Sequence, residues 1–159
     1  MVLDALARMA GRQFSLSDFA RGSHGRPFIA GAPSFSITHC QGLVAAAVLR
    51  EGSIGLDAEL AERPTVRVLR KICDADEMQM AQSTSATRVW VAKEAGIKCL
   101  GLSAFMAGRV RLWPNYLAVH NQVLFLRRIL LAPEYEVAIA SSQPIADNQI
   151  LLNSPLPAP

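Results

Sequence analysis

The sequence predicts a single α+β domain, and three observations predict it. The proline-free stretch from Ala86 to Leu100 consists mostly of helix-tolerant residues, with Thr84 or Ser85 available to cap it, and reads as a helix. Beyond it the chain breaks into apolar runs at 110–112, roughly 117–119, 123–131 and 135–140. Turns at Pro114-Asn115 and Ala132-Pro133 divide them, which is the pattern of an antiparallel sheet. Finally, 159 residues of which 51% are apolar suffice for one core and are too few for two ordinary domains.

Composition narrows the functional classes. A formal net charge of +3 suits anionic substrates or an acidic partner and does not mark a nucleic-acid binder. No window holds 18 uninterrupted apolar residues, and Asp4 and Arg8 break the apolar start that a signal peptide needs. The expectation is a cytoplasmic protein with no membrane partner. Cys40, Cys73 and Cys99 are odd in number and lack Cys-x-x-Cys spacing, as expected of free thiols in a reducing compartment. No repeat of 20 to 50 residues is present.

In chain order, Val2 to Ala10 is an amphipathic helix with Leu3, Leu6, Ala7 and Ala10 on one face. Phe14 to Phe19 alternates as a strand would. Arg21 to Pro33, rich in Gly, Pro, Ser and His, is a loop. Gln41 to Leu49 is a buried strand, or a short helical turn feeding one. Glu62-Arg63-Pro64 is a break, and Thr65 to Met80 is helical, interrupted near Asp74-Ala75-Asp76-Glu77. Gly101 ends the long helix as a C-cap. From Gln143 the composition turns to Pro, Ala and Asn, and residues 152–159 are expected to form a poorly ordered tail.

Two stretches carry the chemistry. In Ile54 to Glu59, read as a strand, Asp57 and Glu59 are two apart and point to one face. Like charges held roughly 7 Å apart repel unless a cation lies between them, and hard oxygen donors suit Mg2+. The alternative is a solvated strand end. On the long helix, Trp90, Glu94, Ile97 and Lys98 share a face. Glu94 with Lys98 alone would be an ordinary surface pair worth roughly 0.3–0.5 kcal/mol. Gly96, costing about 1 kcal/mol against Ala, marks a place where something approaches closely.

Asp57-x-Glu59 after an apolar strand, followed by Trp90-x-x-Lys93-Glu94-Ala95-x-x-Lys98 on a helix, resembles the 4'-phosphopantetheinyl transferases, which load carrier proteins with the arm of coenzyme A. Three further stretches fit in order. Gly25-Arg26-Pro27 is similar to the family's Gly-Lys-Pro. Phe35-Ser36-Ile37-Thr38-His39-Cys40 is similar to its Phe-Asn-x-Ser-His-Ser, and Cys73-x-x-x-Glu77 to its Phe-x-x-x-Glu. The resemblance runs over about residues 2–140 and is nearer the larger, Sfp-type branch. It implies two similar α/β halves with antiparallel sheets and an active site between them. Residues 1–53 would be a shortened first half, 54–142 the metal-binding catalytic half and 143–159 the tail.

The resemblance also implies roles. Asp57, Glu59 and Glu94 would bind Mg2+, and Glu77 would be the general base toward a serine of an apo acyl or peptidyl carrier protein. Lys98, with Lys93, would stabilise the departing phosphate, and Arg26, Thr38, His39 and Lys98 would hold coenzyme A. The first half is short for that branch, and Arg8, Arg12 or Arg21 would have to supply its missing basic residues. A monomer or homodimer is expected. The alternative is a weak or inactive relative that binds coenzyme A or carrier protein as a regulator; an unrelated Mg2+ phosphate enzyme lacks support, since no Gly-rich phosphate loop is present.

Overall fold

A computed structural model of the protein describes residues 2–62 and 66–145. The fold is α+β, with helices packed on antiparallel sheets. Helix α1 (Val2–Ala10) buries Leu6 completely against a small core that includes Ile29 and Phe35. Next comes a short ladder, β1 (Phe19–Arg21) with β2 (Pro27–Ile29), and then a hairpin, β3 (Ser34–Cys40) with β4 (Leu43–Leu49). Gly42, at φ 75°, supplies the left-handed residue that so tight a connection needs.

Strand alternation gives this hairpin two packed faces. Phe35, Ile37 and Val48 meet α1, whereas Leu43, Ala45, Ala47 and Leu49 turn the other way to join Leu56, Ala58, Val137 and Ile139. Those last four belong to β5 (Ile54–Leu60) and β9 (Tyr135–Ser141), in a five-stranded antiparallel sheet. Its order is β5-β9-β8-β7-β6, with β6 (Val110–Leu112), β7 (Tyr116–Val119) and β8 (Gln122–Ile129).

β5 pairs with β9 on one side only. Along its other edge runs β3, in the same direction, and the two are joined by side chains. Ser34 Oγ accepts the Ile54 N–H at 3.3 Å and Ser36 Oγ accepts the Leu56 N–H at 2.9 Å. Hydroxyls two residues apart thus satisfy backbone donors two residues apart, which would otherwise be buried without partners.

The other face of the large sheet carries α4 (Ala86–Leu100), lying across β5 and β9. Ser85 caps its start by accepting from Arg88 N, and Gly101 ends it in the left-handed conformation at φ 63°. Contact is close because the facing residues are small. Ala92, Ala95, Ala138 and Ala140 are all fully buried. Gly55 fits only because it lacks a Cβ, which would lie 2.0 Å from the Ala95 carbonyl oxygen. Gly96 is tight as well, against Leu117 and Val110 of β7 and β6.

Ahead of α4 stand α2 (Val66–Ile72) and α3 (Ala75–Ser83). They divide where Asp74 caps α3 in a box with Glu77: Asp74 accepts from Glu77 N at 2.9 Å and Glu77 accepts from Asp74 N at 3.1 Å. Of the expected break at Glu62-Arg63-Pro64 and the helix start at Thr65, residues 63–65 lie outside the described residues, as do 146–159 of the expected tail region 143–159.

Two expectations need correction. Residues 14–19 are not one strand, since Leu16–Asp18 forms a 3-10 turn. Asp18 accepts from Ser15 N at 2.7 Å and Ser15 Oγ at 3.0 Å, which folds the segment back, so the strand starts only at Phe19. Nor is 21–33 all loop, because Pro27–Ile29 pairs with β1 across a turn closed by Gly22 N to Arg26 O at 2.8 Å.

Candidate active site

The site is built where β3, β5 and α4 meet. Asp57, largely buried in the middle of β5, receives two hydrogen bonds on Oδ1, from Thr38 of β3 at 3.1 Å and from the Lys98 ammonium of α4 at 2.6 Å. Lys98 also lies 3.3 Å from the Thr38 hydroxyl, which closes a triangle of three segments distant in sequence. The Ser34, Ser36, Thr38 series explains the register: two hydroxyls pin the edge of β5, and the third arrives beside Asp57.

Glu94 stands one helical turn before Lys98. Burial holds its carboxyl above the usual carboxylate range, and the charge of Asp57 pushes the same way while Lys98 opposes. Asp57 and Glu94 therefore act on each other across a shared space, two carboxylates against one ammonium. Glu59 lies further along β5 and is half-buried; its Oε1 accepts from Leu60 N at 3.1 Å. Across the ladder it faces Glu136 of β9, which in turn accepts from Ser85 Oγ at 3.1 Å.

As a metal site this donor set fits in kind and is not closed in geometry. The donors are hard oxygens with an excess of negative charge, as Mg2+ prefers. Among the described residues no three His, Cys, Asp or Glu side chains converge as a ready cage. The Lys98 ammonium occupies the position of a counter-cation on Asp57.

Glu77 and Lys93 are brought to each other, not to this triangle. Their charged groups are 2.7 Å apart and almost wholly buried. Lys93 also donates to the carbonyls of Ile72, at 3.1 Å, and Val110. Glu77 also accepts from Leu112 N at 2.7 Å and from Asp74 N. The pair ties α2, α3, α4 and β6 together, and both groups are saturated by protein partners.

Arg26 is likewise engaged. Its guanidinium donates to the carbonyls of Cys99 at 3.0 Å and Ile54 at 3.2 Å, and reaches Ser34 Oγ at 3.4 Å. A cation is thereby set on the carbonyl end of α4, where the helix dipole favours it. It still borders a cavity of about 210 Å3 that is also walled by His24, Ser36, Ile97 and Lys98. His39 is exposed at the end of β3 and, by alternation, lies on the opposite strand face from Thr38.

His24 and Ser36 are cavity residues that the sequence reading did not single out as site residues. The period-two run Ser34, Ser36, Thr38 was the available signal for Ser36. His24 sits at a positive φ of 57° in a Gly-rich turn, a place no pattern announces.

Comparison with known proteins adds the last observation. Residues 53–115, from the turn before β5 to the turn after β6, match the family model of the 4'-phosphopantetheinyl transferase superfamily. Asp57, Glu59, Glu77, Lys93, Glu94 and Lys98 all lie inside the matched segment. None of the curated proteins compared matches the chain.

Proposed function

We propose, from the 4'-phosphopantetheinyl transferase signature carried by residues 53–115, that this protein transfers the phosphopantetheine arm of coenzyme A to a serine of an acyl or peptidyl carrier protein. The observation that carries the reading is the Thr38, Asp57, Lys98 triangle with Glu94 beside it, because it gathers anion-binding and cation-binding groups from three motifs at one point.

In this reading the cavity beside Arg26 and Lys98 takes the nucleotide end of coenzyme A, with His24 and Ser36 on its wall; His39 is not among its lining residues. The carrier's serine oxygen attacks the β-phosphorus, the bond to 3',5'-ADP breaks, and the serine proton passes to water at the acid cluster. Lys98 meets the charge that grows on the leaving phosphate, since positioning and electrostatics dominate phosphoryl transfer. Asp57 and Glu94, with Glu59 as the third donor, would hold Mg2+, which would neutralise the pyrophosphate. Glu77 and Lys93, expected as base and phosphate ligand, are assigned a positioning role because their partners already saturate them.

The two-half architecture is part of this proposal. What supports it is that α1 on the β3–β4 hairpin forms a small core of its own, a reduced counterpart of α4 on the large sheet. The active site would then lie along the β3–β5 junction, between 1–53 and the catalytic half, 54–142.

The test is intact-mass spectrometry of apo acyl and peptidyl carrier proteins incubated with the protein, coenzyme A and Mg2+. A gain of one phosphopantetheine, abolished by EDTA and in Glu94→Ala, supports the reading. Tight coenzyme A binding with no mass gain on any carrier overturns it in favour of a regulator.

A further inference from the structure

α4 has a second charged neighbourhood at its start, about 15 Å from Lys98 at roughly 1.5 Å of rise per residue. β7 covers β8 only as far as Phe125, and Leu126 N bonds Asn115 O at 3.0 Å as the last link between them. Past that point the uncovered edge of β8 borders a cleft of about 730 Å3. That volume lies within the roughly 300–1,000 Å3 usual for small-molecule sites.

The lining is divided by chemistry. Arg88, Arg127 and Arg128 supply positive charge, Met80, Phe125 and Ile145 supply apolar surface, and no carboxylate among the described residues lines the cleft. Consecutive arginines on a strand point to opposite faces, and both reach one cleft because it opens at the strand's edge. Arg128 is fixed to the first turn of α4 through a bond to the Arg88 carbonyl at 3.1 Å. Among the described residues neither Arg88 nor Arg128 has a carboxylate in ion-pair contact. Burial and the Arg88 charge push Arg128 down to about 10, against the pull of Glu136. The Arg88 and Arg128 charges, both half-buried on the cleft wall, repel each other while Glu136 acts on Arg128 in the opposite sense, and an oxyanion between the two guanidinium groups would relieve the repulsion.

We propose that this cleft binds a small amphipathic anion, a carboxylate or phosphate head on an apolar body, with Arg88 and Arg128 on the head and Met80, Phe125 and Ile145 against the body. The site is separate from the Asp57 and Lys98 cluster and does not depend on the transferase reading.

Calorimetric titration of the full chain with octyl phosphate, octanoate, octanol and inorganic phosphate tests it. Both amphipathic anions should saturate one site, with octanol and inorganic phosphate each at least tenfold weaker. Arg88→Gln and Arg128→Gln should each weaken octyl phosphate at least tenfold, and Lys98→Met should leave it unchanged. Arg88→Gln, which keeps the backbone carbonyl that Arg128 bonds, keeps the test decisive if Arg128→Gln does not fold. Equal binding of octanol, binding indifferent to Arg88→Gln, or loss of binding in Lys98→Met would overturn the proposal.

Discussion

Gly55 and Ala95 are in such close approach that a single carbon added to the first would come 2.0 Å from the carbonyl oxygen of the second. This contact sets the height of α4 over β5. Asp57 lies two residues along the strand from Gly55 and Lys98 three residues along the helix from Ala95, so the 2.6 Å pair between them depends on it.

Gly55→Ala should therefore be costly to stability, at least the roughly 1–3 kcal/mol of ordinary overpacking, because the obstacle is backbone. Gly96→Ala meets mainly the Leu117 side chain, which can turn aside, and should cost less. Urea denaturation of both variants checks the order; a milder Gly55→Ala would mean that α4 shifts freely on the sheet.

Lys98→Met should reduce carrier-protein modification by roughly 100- to 1,000-fold, the usual effect of deleting a group aimed at developing charge. Thr38→Val removes one hydrogen bond to Asp57 and should cost less. Initial rates with saturating coenzyme A give the comparison.

The Glu77 and Lys93 pair should behave as structure. Breaking it in Glu77→Gln or Lys93→Met strands a buried charge or donor and should cost about 3–5 kcal/mol, with the double replacement milder than the sum. Thermal unfolding of the three variants tests this. If Glu77→Gln stayed as stable as wild type while modification ceased, Glu77 would regain the role of base.

Cys73 and Cys99 should resist alkylation. Burial pushes Cys73 up to about 11 and Cys99 up to about 12. A raised thiol releases its proton only at higher pH, so at pH 8 their thiolate fractions are on the order of 1 in 1,000 and 1 in 10,000. Iodoacetamide labelling followed by peptide mapping should find both modified far more slowly in the native than in the urea-unfolded protein.

The sequence made legible what depends on local pattern. α4, its Gly101 cap and the four strands after it follow from periodicity and turn residues, with Ser85 one of the two N-caps on offer, and the Asp57, Glu94 and Lys98 grouping follows from two short motifs. It could not reveal how side chains are spent. Lys93 and Glu94 are adjacent in sequence, yet one is buried against Glu77 and the other faces Asp57, because neighbours on a helix point about 100° apart. Arg26 looks like a loop cation until the end of α4 arrives above it. The folded turn at Ser15 to Asp18 was hidden because Phe14-Ser15-Leu16-Ser17 alternates as a strand does.

The hydroxyl seam of Ser34 and Ser36 also bears on solubility. A bare strand margin is a template on which another molecule can extend the sheet, and chains guard against that with charge, proline or a covering segment. Here β3 shields β5 through serine side chains in place of a backbone ladder, and the next member of the series, Thr38, touches Asp57. Guarding against aggregation and shaping the acid site thus fall to one run of five residues, and replacing its serines with alanine would put both at risk together.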